Sequence, residues 1–350
     1  MRTWAIAGGV FALVVVGGAL HYADADPVVV FVVTGLGLAG LAWVIGVATE
    51  SVGARFGPAI TGVLQSTLGN LPELFIVVFA LAAGEVVIAQ TSILGSIFAN
   101  AMLVLGGAIV AGSVTSRDGP MRFQRRLPND TATLLLLAVF IIVLLGQSDQ
   151  LGDNASEHQV EISVIGAICL LTVYGAWLWS YLRGSGRHEP AVEEPSHGTV
   201  AFRPAIVLLA AAGVGAALVS EWFVDAIDPA VEALGISKAF TGLVIVAIAG
   251  NAVENVVGVT LAAKGKSDLA VSVVKNSVAQ IAAFLFPALV LISLAFEDRL
   301  TFVLNPVYVG ALLVMAIAIW QITGDGEAVL YEGLALIALY VVLATVTWFE

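Results

Sequence analysis

The sequence predicts an all-α polytopic membrane protein of about eleven spanning helices, one extra N-terminal helix followed by two inverted five-helix repeats. Three observations predict it. The 350 residues are 59% hydrophobic and only 11% charged, against about 25% charged in soluble domains. The apolar runs are long and smooth, which suits spanning helices and not the alternating strands of a membrane barrel. A short polar motif, Gly-Asn-x-x-Glu, stands inside two of these runs at Gly69–Glu73 and Gly250–Glu254, an offset of 181 residues.

Taken in order, the apolar runs fall near 4–20, 28–49, 58–83, 88–113, 131–146, 161–182, 204–222, 240–263, 270–296, 303–321 and 329–348. A span needs roughly 17 to 25 residues, so the 131–146 run is expected to extend at its ends. The first run, with Arg2 ahead of it and small residues around "HYADAD" after it, also fits a secretory signal; it is read as a retained span. The organisation that results is an extra helix and outer loop (1–27), a first half (28–182) with its repeat core at 58–113, a linker (183–203), and a second half (204–350) with its repeat core at 240–296. The linker, "RGSGRHEPAVEEPSHGTVAFR", has the Gly, Pro and charge content of a solvated loop.

Basic residues orient the chain. With the N-terminus inside, the inner loops hold Arg2, Arg55, Arg117, Arg122, Arg125, Arg126, Arg183, Arg187, Arg203, Lys264 and Lys266, eleven of the fourteen Lys and Arg. Lys238 and Arg299 fall outside, and Lys275 falls within a span. The expected topology is therefore N-terminus cytoplasmic and C-terminus outside, in a prokaryotic plasma membrane. The formal charge of −12 and the scattered basic residues give no nucleic-acid surface. The single cysteine, Cys169, rules out an internal disulfide framework, and the four histidines have no metal-ligand spacing.

The repeat extends beyond the motif. Thr61-Gly62 pairs with Thr241-Gly242, Leu81-Ala82-Ala83 with Leu261-Ala262-Ala263, and Ser96 with Ser277. The 58–83 run goes from inside to outside and the 240–263 run returns, so the two halves are expected to be inverted copies with a site where they meet. A charged carboxylate at the bilayer centre costs at least about 2.5–3.5 kcal/mol, so Glu73 and Glu254 must be neutralised by protons, a cation or a basic partner. A pair that holds protons when empty and releases them to a divalent cation can exchange one for the other. Asn70 and Asn251, three residues before each Glu, share its helix face and offer amide oxygens to a hard cation. Gly69, Gly250 and Pro72 loosen the helix and free carbonyls. Ser96, Ser277 and Gln280 line the site, with Gln90 and Asn100 as further candidates; Ser92, Ser96 and Asn100 form one stripe at i, i+4 and i+8.

The stretches "ATESVGARFGPAITGVLQSTLGNLPEL", "AQTSILGSIFANAMLVLG" and "AGNAVENVVGVTLAAKGKSDLAVSVVKNSVAQIAAFLF" resemble the cation/Ca²⁺ exchanger superfamily, in its Ca²⁺/H⁺ exchanger branch. The resemblance implies a Ca²⁺/H⁺ antiporter in which Glu73 and Glu254 bind Ca²⁺ and protons alternately, while Asn70, Asn251, Ser96, Ser277 and Gln280 line the path. Ca²⁺ and H⁺ are then transported ions; no resident cofactor is implied. Three residues depart from the branch: Asn255 stands where His is usual, Asn276 where Gly is usual, and Pro72 where a small apolar residue is usual. Asn255, Pro72 and Lys275 are therefore expected modulators. Lys275, about five residues into its span, is expected to carry its ammonium to the inner interface on its long stem, or else to stand as a fixed charge near the glutamates. The alternatives are a Na⁺-coupled Ca²⁺ exchanger, a Na⁺/H⁺ antiporter and, from another class, a cation channel. An intramembrane enzyme is disfavoured, since no Ser/His, HExxH or paired-Asp arrangement lies within the spans.

Overall fold

The computed structural model describes residues 2–53, 55–56, 64, 67–116, 119–124, 126–184 and 200–350. Nearly all of them are helical. In chain order the helices are α1 (Arg2–Tyr22), α2 (Pro27–Gly53), α3 (Leu71–Ala82), α4 (Val86–Phe98), α5 (Leu105–Thr115), α6 (Arg126–Leu151), α7 (Gln159–Gly184), α8 (Phe202–Leu234), α9 (Lys238–Phe240), α10 (Ala247–Gly250), α11 (Ala252–Ala263), α12 (Ser267–Gln280), α13 (Phe286–Ile292), α14 (Pro306–Thr323) and α15 (Leu330–Trp348). Among the described residues nine stretches are long and apolar enough to cross a membrane, and a tenth is the bent α9–α11. They make the chain an integral membrane protein. The expected 131–146 span does extend, as Ala132–Leu151. The run expected over 58–83 is represented by the apolar helix α3; most of its first half, with Thr61 and Gly62, lies outside the described residues, as does most of the 183–203 linker.

Among the described residues three π-helical segments interrupt the spans, at Ala99–Val104, Thr241–Val246 and Ile281–Leu285. The first and third stand about 181 residues apart, the offset of the Gly-Asn-x-x-Glu motif. A π segment inserts one residue per turn and rotates the remainder of its helix, a device that recurs at functional sites. The first and third each follow the helix, α4 or α12, that carries the predicted serine; the second follows the short α9.

Small residues set the closest helix crossings, as expected where no hydrophobic drive separates helix from lipid. A Cβ on Gly106 would lie 2.7 Å from the Gly333 carbonyl, and one on Gly333 would lie 2.7 Å from the Gly106 carbonyl. Helices α5 and α15 therefore touch backbone to backbone. Gly106→Val or Gly333→Val is expected to lower stability by about 1–3 kcal/mol through overpacking, read as a lower melting temperature in detergent.

Short polar clasps join distant loops at the two ends of the bundle. Met121–Arg122 pairs antiparallel with Glu327–Ala328, and the Gln124 amide donates to Asp268 at 2.7 Å. At the other end Lys238 bridges Glu85 and Asp228, both at 2.7 Å. That triad ties the start of the α9–α11 stretch to the turn between α3 and α4 and to α8.

Candidate functional site

Both copies of the motif break their helix at the asparagine. Asn70 (φ −86°, ψ 11°) precedes α3, and Asn251 (φ −97°, ψ 22°) separates α10 from α11. The same backbone conformation thus recurs at matched positions. The break bends the second stretch by 61°. Pro72 falls in the first turn of α3, where its missing N–H would have had no partner. It starts a helix rather than distorting one, which refines its expected role. The consequence for the glutamates is direct. Glu73 and Glu254 each sit in the first turn of a short helix, where unpaired backbone N–H groups and the helix dipole favour negative charge.

The two carboxylates come together from opposite repeats. A Cβ added to Gly250 would lie 2.7 Å from Oε1 of Glu73, and one added to Gly69 would lie 3.3 Å from Oε1 of Glu254. Each carboxylate rests on the glycine of the other motif, and each lies within Coulombic range of the other. Their exposure differs: Glu73 is 1% exposed, whereas Glu254 is half-buried.

A hydrogen-bond chain runs from Glu73 through four neutral side chains. Ser96 Oγ donates to Glu73 Oε1 at 3.4 Å. Asn251 Nδ2 donates to Ser96 Oγ at 2.7 Å and to the Ala247 carbonyl at 2.9 Å. Asn100 Nδ2 donates to Asn251 Oδ1 at 2.7 Å and to Ser277 Oγ at 3.2 Å. An amide nitrogen has two hydrogens, so both asparagines have spent their donors within the protein. What remains is acceptor oxygen: Glu73 Oε2 and Asn100 Oδ1 are buried without a hydrogen-bond partner. Buried acceptors left in this way are costly unless something positive meets them.

Asn100 is thereby the hub of the chain, a larger part than its helical stripe suggested. The stripe implied a continuous α-helix, but Asn100 lies in the π segment, so its side chain is set by that rotation and not by i+4 spacing. The hydrogen bonds bring Ser96, Ser277, Asn251 and Asn100 together, and Asn70, 5% exposed, stands at the first break. Gln280 is buried and bonds with the Tyr174 hydroxyl of α7. Gln90 does not join the chain: its Nε2 donates to the Val303 carbonyl at 3.3 Å, where it ties α4 to a loop. Asn255 points its amide nitrogen back to the Ile248 carbonyl at 3.4 Å. Its Oδ1 and that of Asn276 are buried without a partner.

Lys275 does not reach the interface on its stem. It is 5% exposed and donates to Thr323 Oγ1 at 2.6 Å, and Thr323 in turn donates to the Ile319 carbonyl at 2.7 Å. The ammonium is held at the C-terminal turn of α14, the end of a helix that favours a cation. Thr323→Val should therefore lower stability by about 1–3 kcal/mol, because a charged donor loses an acceptor in a buried place. Lys275→Met, which removes the charge and keeps the volume, should be neutral or stabilising. Thermal melts of the two variants check the contrast.

The profile of the sodium/calcium exchanger protein family matches residues 27–182 and 204–349. A Ca²⁺/H⁺ antiporter of Synechocystis is 32% identical over 95% of this chain and 94% of its own. The Ca²⁺/H⁺ antiporter ChaA of Bacillus subtilis is 31% identical over 97% of this chain and 96% of its own. The crystal structure of the Ca²⁺/H⁺ antiporter protein YfkE superposes with a TM-score of 0.82 at 29% identity, covering 100% of this chain and 99% of that one. A family match across both halves, with relatives alike over nearly their whole length, leaves one assignment: the chain belongs to the sodium/calcium exchanger protein family.

Proposed function

We propose that the protein is a secondary antiporter that exchanges Ca²⁺ for H⁺ by alternating access, with Glu73 and Glu254 as the groups that carry either ion. The observation that supports this most is the spent donor set. Asn100 and Asn251 use their amide hydrogens within the protein, so what these two and Glu73 present to the buried centre is oxygen, with Glu73 Oε2 and Asn100 Oδ1 left without a partner. Two carboxylates in such a place need positive charge, and two protons or one divalent cation supply the same amount. Oxygen donors are what a hard cation such as Ca²⁺ accepts. The names of the relatives point to the same pair of ions. Two inverted halves, 28–182 and 204–350, would carry one break each and swing the access path between faces, with the N-terminus cytoplasmic in a prokaryotic plasma membrane.

Proteoliposomes test the reading. An imposed pH gradient should drive Ca²⁺ against its concentration gradient, and the apparent Ca²⁺ affinity should fall as pH falls, because protons and Ca²⁺ compete for the same oxygens. Transport driven equally by a Na⁺ gradient at constant pH would assign Na⁺ coupling. Current without counter-ion movement would make the protein a channel.

A further inference from the structure

At the end of the bundle that carries Arg55 and Arg203, helices α1 and α8 part. Toward their other ends they are in close contact: a Cβ on Gly18 would lie 2.7 Å from the Trp222 ring, and one on Gly215 would lie 3.9 Å from Phe11. Nearer the start of α1 a Cβ on Gly8 or Gly9 would meet nothing within 4 Å. The space between the helices is a groove of about 420 Å³ lined by Trp4, Arg203, Pro204, Val207, Leu208 and Ala211. Its walls are apolar and Arg203 stands at its mouth. A second arginine lies close by, since Arg55 sits over the Phe202 ring at 4.7 Å from its centroid.

The rim of the groove is held in place. The Val200 amide donates to Ser51 Oγ at 3.1 Å, and Val200 and Ala205 pack on Val47 of α2. The segment bearing Arg203 is thus fastened to α2. An apolar slot between spanning helices with guanidinium groups at the membrane–water boundary matches an amphiphile with an acyl chain and an anionic head. Trp4, 51% exposed, has the amphipathic ring that settles at the same level.

We propose that this groove binds one anionic phospholipid, its acyl chain lying between α1 and α8 and its phosphate held by Arg203 with Arg55 beside it. The groove belongs to the extra helix α1, outside the family-matched residues 27–182 and 204–349 on one wall, so the site is a feature of this chain's periphery and not of its ion path. Because α8 packs along α2 and against α3, a lipid wedged here bears on the helix that carries Glu73.

Trp4 fluorescence tests the proposal directly. The full-length protein is reconstituted in phosphatidylcholine vesicles with increasing bromine-labelled phosphatidylglycerol or, in parallel, bromine-labelled phosphatidylcholine. The Trp4→Phe variant supplies the signal of the other six tryptophans for subtraction. Trp4 should be quenched at a several-fold lower fraction of the anionic lipid than of the zwitterionic one. Arg203→Ala should weaken that preference about five-fold, the effect of one basic residue near the surface. Ala211→Phe, which fills the groove without changing charge, should reduce quenching by both lipids. Equal quenching by the two lipids in the parent protein would overturn the proposal. So would a preference unchanged in Arg203→Ala, or competition by inorganic phosphate as strong as by the lipid. None of these outcomes depends on which ions the protein exchanges.

Discussion

Glu73→Gln should reduce pH-gradient-driven Ca²⁺ uptake by at least 100-fold while the protein still folds and inserts. Glutamine keeps the shape of the side chain and one acceptor oxygen, so Ser96 can still donate to it. It cannot take up a proton or supply negative charge. One divalent cation would then face a single carboxylate, and the match between two protons and one Ca²⁺ is lost. Burial makes the loss severe, since Glu73 is 1% exposed and water cannot stand in for it. Glu254→Gln should be similarly inactive. Uptake into proteoliposomes, with unchanged melting as the control for folding, reads both. Full transport in either variant would end the two-carboxylate mechanism. In the proposed mechanism the empty site holds these groups protonated, and a neutral glutamine of about the same volume replaces a neutral carboxyl, so neither variant should melt far from the parent.

Gly250→Ala is the second large effect. One methyl would stand 2.7 Å from Glu73 Oε1 and 2.8 Å from its Cδ, well inside contact distance, so the carboxylate must move from its place against Gly250. Overpacking of this kind costs about 1–3 kcal/mol, and here it falls on the group proposed to carry the ions. Transport should drop about 100-fold or more. Gly69→Ala makes the reciprocal contact at 3.3 Å from Glu254 Oε1, against a half-buried side chain that can shift. Its loss should be about ten-fold. The experiment compares the two in the same vesicles, with Ca²⁺ affinity and maximal rate separated. Equal, mild losses would show that the glycines serve helix packing only.

Much of this architecture is legible in the residues alone. A charged fraction of 11% with long apolar runs leaves no other solvent than lipid, and two glutamates inside such runs mark a site because the bilayer makes them expensive. The repeat offset then pairs Glu73 with Glu254 and Ser96 with Ser277. Pattern fails where a side chain's direction depends on local backbone irregularity. Asn100 looks peripheral on a regular helix, and the π segment makes it the centre of the hydrogen-bond chain. Gln90 looks like part of the polar set, yet its amide serves the Val303 carbonyl. Lys275 looks long enough to reach water, but Thr323, 48 residues away in sequence, offers a nearer acceptor.

The sequence by itself determined the solvent, the order of apolar segments, the repeat and the identity of the buried carboxylates. Each of these comes from residue chemistry summed along the chain, where spacing of about 20 residues and the cost of charge in lipid are decisive. The tertiary structure alone decided which glycine each glutamate rests on, which amide hydrogens are spent and which oxygens are left over. Those facts arise between segments about 150 to 180 residues apart, and contacts at 2.7 Å depend on helix rotations that no one-dimensional pattern records. The Glu73 carboxylate meets the other repeat, and does not stand as an isolated buried charge, because Gly250 has no side chain to hold it off.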